Sequence, residues 1–300
     1  MPDFLVFCVI IPKLMGVPVI LDLHDLMPEL FNGNFGKSTS LLARIIRWQE
    51  RIACKFANHV ITVSEQWRQA LINRGVPKNK CCVVMNVADE RIFQPIQYKS
   101  LRSMEDDSFR LLYYGTIRER FGLDIAIRAV GMVKNDIPKI HLTLIGDGDY
   151  LSHLEKIICE LNLSQNVSIR PPCLAEDLPK IICDSDLGVV PYRKDVFMDS
   201  ALPTKLMEFA AMGFPAIASR TKANETYFSG ANVEFFEPGN VDDLARCILY
   251  LYRNQDRLYE LAKSSENFNR RFNWSQISKE YVSLVNNLSS ANREHGIPKP

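Results

Sequence analysis

The sequence has almost no net charge. Its 300 residues contain 36 lysines and arginines and 35 aspartates and glutamates, which gives a formal net charge of +1. A charge this balanced provides no overall attraction to nucleic acid or to an anionic membrane. We therefore predict no nucleic-acid partner, and any basic function must be confined to a small part of the surface.

The chain also lacks a clear targeting segment. Its opening, MPDFLVFCVIIPKLMGVPVILDL, is apolar but has neither the basic start nor the small-residue cleavage site of a signal peptide. Pro12, Lys13, Gly16 and Pro18 interrupt it before it reaches the roughly 20 residues that a membrane span needs. We interpret it as two buried strands around a short helix, and we expect Phe4 to Ile11 to expose an apolar sheet edge.

The eight cysteines show no pattern of metal or disulfide chemistry. None belongs to a C-x-x-C pair or has a histidine neighbour at metal-ligand spacing, so we predict no metal site. Scattered through apolar segments, they indicate reduced, mostly buried thiols of a cytoplasmic protein.

Short apolar runs that favour strands alternate with longer helical patterns along most of the chain. This alternation predicts an α/β fold with parallel sheets covered on both faces. The pattern fades between Ile92 and Ser108, where the composition is that of a linker. We predict a first domain at 1–97, a linker at 98–108, a complete doubly wound domain at 109–268, a helix at 269–288 and a tail at 289–300.

The stretch YRKDVFMDSALPTKLMEFAAMGFPAIAS, residues 192–219, is the most informative. A loop ending in Pro203 leads into a helix with Thr204 and Lys205 in its first turn and Glu208 one turn later. Backbone N–H groups at a helix start bind anions and Lys205 adds a positive charge, so this is a plausible pyrophosphate seat. Glu208 would then accept hydrogen bonds from ribose hydroxyls. The spacing fits equally well an ordinary helix start with a solvated glutamate.

The end of this stretch, EFAAMGFPAIAS, resembles the donor-site motif of the retaining glycosyltransferases of family 4, which have the GT-B fold. Three further segments resemble the family in order and spacing: His59–Pro95, Leu111–Val130 and Phe272–Leu288. The resemblance implies a GT-B protein with two Rossmann-like domains, of which the first is incomplete at its N-terminus. The chain would then be a fragment, one product of a split gene or a degenerate copy.

The resemblance also implies the reaction, in which a nucleotide-diphosphate sugar gives its sugar to an acceptor hydroxyl with retention of configuration. No cofactor and no metal would be needed. Lys205 and Arg118 would stabilise the leaving diphosphate, and His24, which follows the strand VPVILDL, would contact the transferred sugar. Without the resemblance, a lone histidine at a strand end is more often structural. The implied donor-binding residues are Gly115, Thr116, Arg120, Ser200, Ala201, Leu202, Thr204 and Glu208.

Two departures from the family pattern concern these contacts. Ser200 stands where the family has the first of two glutamates, which contacts the sugar and phosphate. Thr116 and Phe121 stand where many members have an arginine and a lysine that grip the diphosphate. Arg118 and Arg120 in the same loop would replace them, because an arginine fork suits phosphate oxygens. The alternative is that both are solvated loop charges.

A helix predicted at Ser38 to Ala57 carries Arg44, Arg47, Arg51 and Lys55 on one face. It could rest on an anionic membrane that holds a lipid-linked acceptor, or be an ordinary packed helix with a solvated basic face. The resemblance to the family suggests an acceptor in polysaccharide or glycolipid assembly. It also suggests that the segment Val167 to Leu178 recognises the base of the nucleotide.

Two other functions stay open. A non-catalytic remnant would bind a nucleotide or a partner without turnover, as the truncation and Ser200 suggest. A nucleotide-sugar epimerase could have the same two-domain fold, but no acid/base carboxylates can be assigned to it.

Overall fold

A computed structural model describes residues 3–35, 41–96 and 108–294. The chain forms two compact units. The first contains the chain up to Asn86, Asp195–Ala201 and the segment from Trp274, and the second contains Val87–Lys194 and Leu202–Asn273. Both have parallel sheets with intervening helices, which confirms the predicted α/β class. The predicted linker lies outside the described residues, except for Ser108, which begins a strand.

The first unit has a three-stranded parallel sheet in the order β1-β2-β3. The strands are β1 (Ile20–Leu23), β2 (His59–Thr62) and β3 (Cys81–Val83). The central strand β2 is buried along its whole length, as its position requires. The helices grouped with this unit are α1 (Ile10–Leu14), α2 (Met27–Phe35), α3 (Leu41–Phe56), α4 (Glu65–Asn73) and α12 (Trp274–Glu294).

The first residues do not form the expected strand. Asp3–Val9 is a 3₁₀-helix that continues directly into α1. Helical turns satisfy their own backbone hydrogen bonds, whereas a strand needs a neighbouring strand. The prediction of a sheet edge at Phe4 to Ile11 is therefore wrong, although Ile11 is 67% exposed and Leu14 is 81% exposed.

The structure describes all eight cysteines; none forms a disulfide, and they are not mostly buried. Cys54, Cys81 and Cys247 are buried, whereas Cys8, Cys159, Cys173 and Cys183 are exposed. Apolar neighbours in sequence do not decide which face of a helix a thiol occupies.

The second unit has a six-stranded parallel sheet in the order β6-β5-β4-β7-β8-β9. Strands β5 and β6 follow β4 outward on one side, and β8 and β9 follow β7 outward on the other. The sheet is therefore doubly wound. Its strands are β4 (Ser108–Tyr114), β5 (Lys139–Ile145), β6 (Val167–Arg170), β7 (Leu187–Val190), β8 (Ala216–Ser219) and β9 (Glu234–Phe236). The pair β4 and β7 is the point at which the strand order reverses.

The helices of this unit lie between its strands and after the last of them. The chain has α5 (Leu123–Val133), α6 (Leu151–Glu160), α7 (Leu178–Cys183), α8 (Thr204–Ala211), α9 (Lys222–Tyr227), α10 (Val241–Arg253) and α11 (Gln255–Arg271). Helices α9 and α11 were not predicted. Helix α11 is polar along most of its length and buries only a narrow apolar strip that includes Leu258, Leu261 and Ala262. Among the described helices, none combines the length and the apolar character needed to cross a bilayer.

Candidate functional site

The reversal of strand order in the second unit marks the natural place for a ligand. In an open parallel sheet the crevice lies beyond the carboxyl ends of the two strands at which the order reverses. Strand β4 ends at Tyr114 and leads into Gly115, and β7 ends at Val190 and leads through Pro191 to Tyr192.

Lys205, in the first turn of α8, places its side chain beside Gly115, directly after the end of β4. Its side chain is only 8% exposed. The ammonium Nζ donates a hydrogen bond to the Tyr192 hydroxyl at 2.9 Å. It also lies 4.9 Å from the ring centre of Tyr113, 5.4 Å from that of Phe121 and 5.3 Å from that of Tyr192. Three aromatic faces therefore hold the buried cation in place.

The charge of Lys205 has no counter-ion among the described residues of the second unit. An ammonium has three N–H donors, and among the described residues only the Tyr192 hydroxyl accepts from it. No described carboxylate lies within salt-bridge distance of it. A Cβ atom on Gly115 would lie 3.2 Å from Nζ, so the Gly115 turn passes directly beside the ammonium. A buried cation without a paired anion is costly, and an anionic ligand would relieve that cost.

Glu208 lies one turn further along α8, on the same side as Lys205. Its Oε2 accepts a hydrogen bond from the Tyr114 hydroxyl at 2.7 Å. Burial raises the pKa of Glu208 above its usual value, and the Tyr114 hydrogen bond and the Lys205 charge oppose this rise. Burial raises the pKa of Tyr114 well above its usual value, so this hydroxyl remains a donor. The carboxylate is thus oriented through one oxygen, and the other can accept from a ligand hydroxyl.

A pocket of about 280 Å³ opens at the carboxyl ends of β4, β5 and β6. Its lining residues are Tyr114, Gly115, Thr116, Ile145, Gly146, Asp147, Pro172, Cys173 and Leu178. The last three fall in the segment predicted to recognise a base. The pocket adjoins Glu208 through the shared residue Tyr114.

Two glycines allow the loops after β4 and β5 to approach closely. The Gly115 N–H donates to the Ile145 carbonyl at 2.8 Å. Gly146 has a φ of +153°, and a Cβ atom there would lie 1.9 Å from the Gly115 carbonyl oxygen. No other residue type fits at this position.

The arginines of the Gly115 loop differ in their surroundings. Arg118 is exposed, and its Nε lies 3.9 Å from Asp149 Oδ2. Arg120 is half-buried, and its carbonyl accepts a hydrogen bond from the Arg193 N–H at 2.9 Å. Thr116 is exposed, and its carbonyl accepts from the Tyr113 hydroxyl at 2.8 Å.

Arg193, which sequence reasoning missed, ties this loop to the end of β7. Its Nη2 donates to Asp124 Oδ2 at 2.6 Å and its Nε donates to the Glu119 carbonyl at 3.2 Å. Asp124 is buried and its other oxygen has no hydrogen-bond partner. Tyr192 and Arg193 follow β7 and Pro191 directly, and this place after the end of a buried strand was the available signal.

The start of α8 has no side-chain cap, which leaves its first backbone N–H groups without a partner from a capping side chain. Pro203 is the residue before the helix, and its side chain caps no backbone N–H. The first N–H groups of any helix have no partner inside it, so the N–H groups of Thr204 and Lys205 are donors toward a ligand. Thr204 is exposed and Leu202 is half-buried.

The remaining predicted site residues belong to the first unit. His24 follows β1 and is exposed, with Nε2 3.3 Å from Asp22 Oδ2 and Nδ1 3.5 Å from Asn86 Nδ2. The N–H groups of Ser200 and Ala201 both donate to the Phe197 carbonyl at 3.0 Å. These two amides, expected to contact the donor, are therefore already bonded within their own loop.

Within residues 3–35, 41–96 and 108–294, no group of three histidine, cysteine, aspartate or glutamate side chains could hold a metal ion. Lys205 and Glu208 are the two charged residues of α8 that we assign to the candidate site of the second unit.

Two protein-family models match consecutive parts of the chain. Residues 108–254 match the model of the glycosyl transferases group 1, and residues 2–91 match the model of glycosyltransferase family 4. Between them the matches leave out residue 1, residues 92–107 and the residues after 254.

Comparisons with single proteins give distant similarities. A chitobiosyldiphosphodolichol beta-mannosyltransferase of Debaryomyces hansenii is 25% identical over 68% of this chain and 47% of its own length. A D-inositol 3-phosphate glycosyltransferase of Paenarthrobacter aurescens is 23% identical over 77% of this chain and 57% of its own length. The chain thus spans about half the length of these relatives.

Solved structures share the fold. HepE of Anabaena, solved in complex with UDP, is 18% identical, with a TM-score of 0.77 over 94% of this chain and 76% of that chain. Its match covers both parallel-sheet domains of the GT-B fold, which confirms the predicted architecture.

Proposed function

We propose that this chain is a group 1 glycosyltransferase of the GT-B fold, which binds a nucleotide-diphosphate sugar and transfers the sugar to an acceptor hydroxyl. The observation that carries the proposal is the buried Lys205 ammonium at the reversal of strand order, which has no described counter-ion. A diphosphate is an anion of suitable size and charge for this place.

The proposed donor lies across the carboxyl ends of β4, β5 and β6. Its diphosphate would contact Lys205, the Gly115 turn, Thr116 and the first amides of α8. The ribose hydroxyls would donate to Glu208, whose carboxylate Tyr114 already orients at 2.7 Å. The base would enter the pocket of about 280 Å³ that Pro172 and Leu178 help to line.

Catalysis in this proposal is mainly electrostatic. Negative charge builds on the leaving diphosphate as the bond to the sugar breaks, and Lys205 would stabilise it more strongly in the transition state than in the bound donor. Arg118 and Arg120 would add charge from the same loop, and His24 would contact the transferred sugar. We propose that the transfer proceeds with retention and without a divalent metal ion or a cofactor.

The acceptor is proposed to be lipid-linked or part of a polysaccharide, with the protein in the cytoplasm or on the cytoplasmic face of a membrane. The name of the Debaryomyces relative specifies a diphosphodolichol-linked acceptor, which supports a lipid-linked class. The basic residues Arg44, Arg47, Arg51 and Lys55 would give the chain a peripheral membrane contact.

Thermal unfolding with a panel of nucleotides tests the donor site. We expect UDP, GDP or ADP, or one of their sugars, to raise the melting temperature, because a ligand at 100 times its Kd stabilises the folded state by about 2.7 kcal/mol. Glu208→Ala should remove this rise, whereas Glu155→Ala, an exposed glutamate on α6, should keep it. A well-folded protein that responds to none of these ligands would contradict the donor-site proposal.

A second measurement separates the functions that share this site. Product analysis by NMR with a donor and candidate acceptors gives the anomeric configuration of the new bond, and inversion would contradict retention. Binding of the donor without any transfer would favour the non-catalytic remnant, which Ser200 supports. A changed sugar in the absence of an acceptor would indicate an epimerase. Transfer that survives a chelator is expected, because no step here uses a metal.

A further inference from the structure

Three tyrosines lie at or just beyond the carboxyl ends of β4 and β7, and they use their hydroxyl groups differently. The Tyr113 hydroxyl donates its proton to the Thr116 carbonyl at 2.8 Å. The Tyr114 hydroxyl donates its proton to Glu208 Oε2 at 2.7 Å. The third tyrosine, Tyr192, accepts a hydrogen bond instead of giving one. Two of the three hydroxyl protons are therefore bonded within the protein, and the third needs a separate account.

The Tyr192 hydroxyl still has its proton to donate. Its oxygen accepts from the Lys205 ammonium at 2.9 Å, and an ammonium has three donors but no acceptor. No acceptor for the Tyr192 O–H lies among the residues that the structure describes. The side chain is only 5% exposed. Because buried polar groups nearly always make their hydrogen bonds, the missing bond points to an acceptor on a ligand.

Contacts on three sides fix the position of Tyr192. The Ser219 hydroxyl donates to the Tyr192 carbonyl at 2.6 Å. The centre of the Tyr192 ring lies 4.9 Å from that of the Phe121 ring. The next residue, Arg193, donates from Nη2 to Asp124 Oδ2 at 2.6 Å. The main chain, the ring and the following residue are all held, so a ligand would meet a preorganised donor.

We infer that the Tyr192 hydroxyl donates a hydrogen bond to the diphosphate that Lys205 binds, and that Tyr192 is a further catalytic residue of this site. The inference deepens the proposed function and rests on it. The N–H that Lys205 gives to the tyrosine oxygen polarises the O–H and strengthens the bond that this O–H donates. A hydrogen bond to an ionised phosphate is also stronger than one to a neutral acceptor. The ammonium and the hydroxyl thus stabilise the charge of the leaving diphosphate together.

Calorimetric titration of the full chain with UDP, GDP, ADP and inorganic pyrophosphate tests the hydroxyl. Tyr192→Phe removes the O–H and keeps the ring that contacts Lys205. We expect this variant to bind pyrophosphate, and whichever nucleotide the wild type binds, about 10- to 100-fold more weakly. Tyr250→Phe, at a 41% exposed tyrosine on α10, is the matched control and should bind as the wild type does. Thermal unfolding confirms that both variants fold.

A second substitution separates donation to the ligand from mere positioning of Lys205. Tyr192→3-fluorotyrosine makes the hydroxyl more acidic, so it donates a stronger hydrogen bond and accepts a weaker one. At mildly acidic pH, where this hydroxyl keeps its proton, we expect the variant to bind the nucleotide more tightly than the wild type does. If Tyr192 only held Lys205 in place, its weaker acceptor would leave the affinity unchanged or lower it.

The outcomes distinguish this inference from the proposed function. A wild-type chain that binds none of the four probes would overturn the proposed function and this inference with it. A wild-type chain that binds, together with an unchanged affinity in Tyr192→Phe, would overturn the inference alone and leave the donor site intact. A fluorotyrosine variant that binds no more tightly than the wild type would also overturn the inference, because it would limit Tyr192 to holding Lys205.

Discussion

Replacement of Lys205 by methionine separates a ligand-binding role from a structural one. Methionine keeps most of the apolar stem and removes the charge, so the aromatic neighbours Tyr113, Phe121 and Tyr192 keep their packing. We expect the nucleotide affinity to fall strongly and the free energy of unfolding to fall little or not at all.

The two magnitudes follow from the surroundings of the ammonium. Three cation–π contacts stabilise the ion by about 0.5–1 kcal/mol each, and the hydrogen bond to Tyr192 adds about 1 kcal/mol. Against this stands the cost of removing a charge from water, which is several kcal/mol for a buried ion without a counter-ion. The unfolding free energy of Lys205→Met should therefore stay within about 1 kcal/mol of the wild type or exceed it. A hydrogen bond from a charged group to phosphate contributes about 1.5–3 kcal/mol, so nucleotide binding should weaken about 10- to 150-fold.

Urea unfolding and isothermal titration calorimetry on the same samples measure both quantities. Lys156→Met, a change at a 72% exposed lysine on α6, is the matched control and should alter neither. Loss of several kcal/mol of unfolding free energy with unchanged nucleotide affinity would refute the reasoning, because it would make Lys205 a structural cation.

Three further predictions concern other parts of the chain. Burial raises the pKa of Glu50 to about 7 from its usual 4.5, so the folded state favours its protonated form and stability should fall as pH rises from 4.5 through 7. Glu50→Gln should flatten this pH dependence of the unfolding free energy in urea unfolding. If the variant keeps the pH dependence of the wild type, another titrating group causes it. Gly146→Ala should destabilise the protein by about 3 kcal/mol or more because its Cβ would lie 1.9 Å from a carbonyl oxygen, whereas Gly230→Ala, with nothing within 4 Å, should change thermal stability little. Arg193→Ala should cost about 2 kcal/mol by leaving the buried Asp124 unpaired, and should weaken nucleotide binding as well; calorimetry that finds normal affinity would limit this residue to a structural role.

Periodicity located most of the regular elements correctly. The described helix Leu41–Phe56 lies within the helix predicted at Ser38 to Ala57. The first residues were misread because an apolar run without clear alternation fits a buried strand and a helix alike. Helix α11 was missed because its buried strip is narrow and most of its residues are polar.

The candidate site was partly visible in the sequence. Lys205 and Glu208 could be singled out because they lie one turn apart at the start of a helix that follows a loop. Their aromatic partners could not, because Tyr114 and Tyr192 are distant from them in sequence and approach only through the strand order of the sheet. The hydrogen bonds that the Ser200 and Ala201 N–H groups donate to the Phe197 carbonyl were not visible in the sequence either.

The sequence by itself determined the α/β class, the glycine turns after the strands and the local amphipathic patterns, because these depend on neighbouring residues and on backbone geometry. The tertiary structure alone decided which face of each element is buried. It placed the ammonium of Lys205 among three rings without a described carboxylate, and it left Leu41, Ile45 and Trp48 of α3 in solvent. Both results depend on contacts between segments far apart in the chain, and periodicity gives the existence of a face but not the partner that covers it.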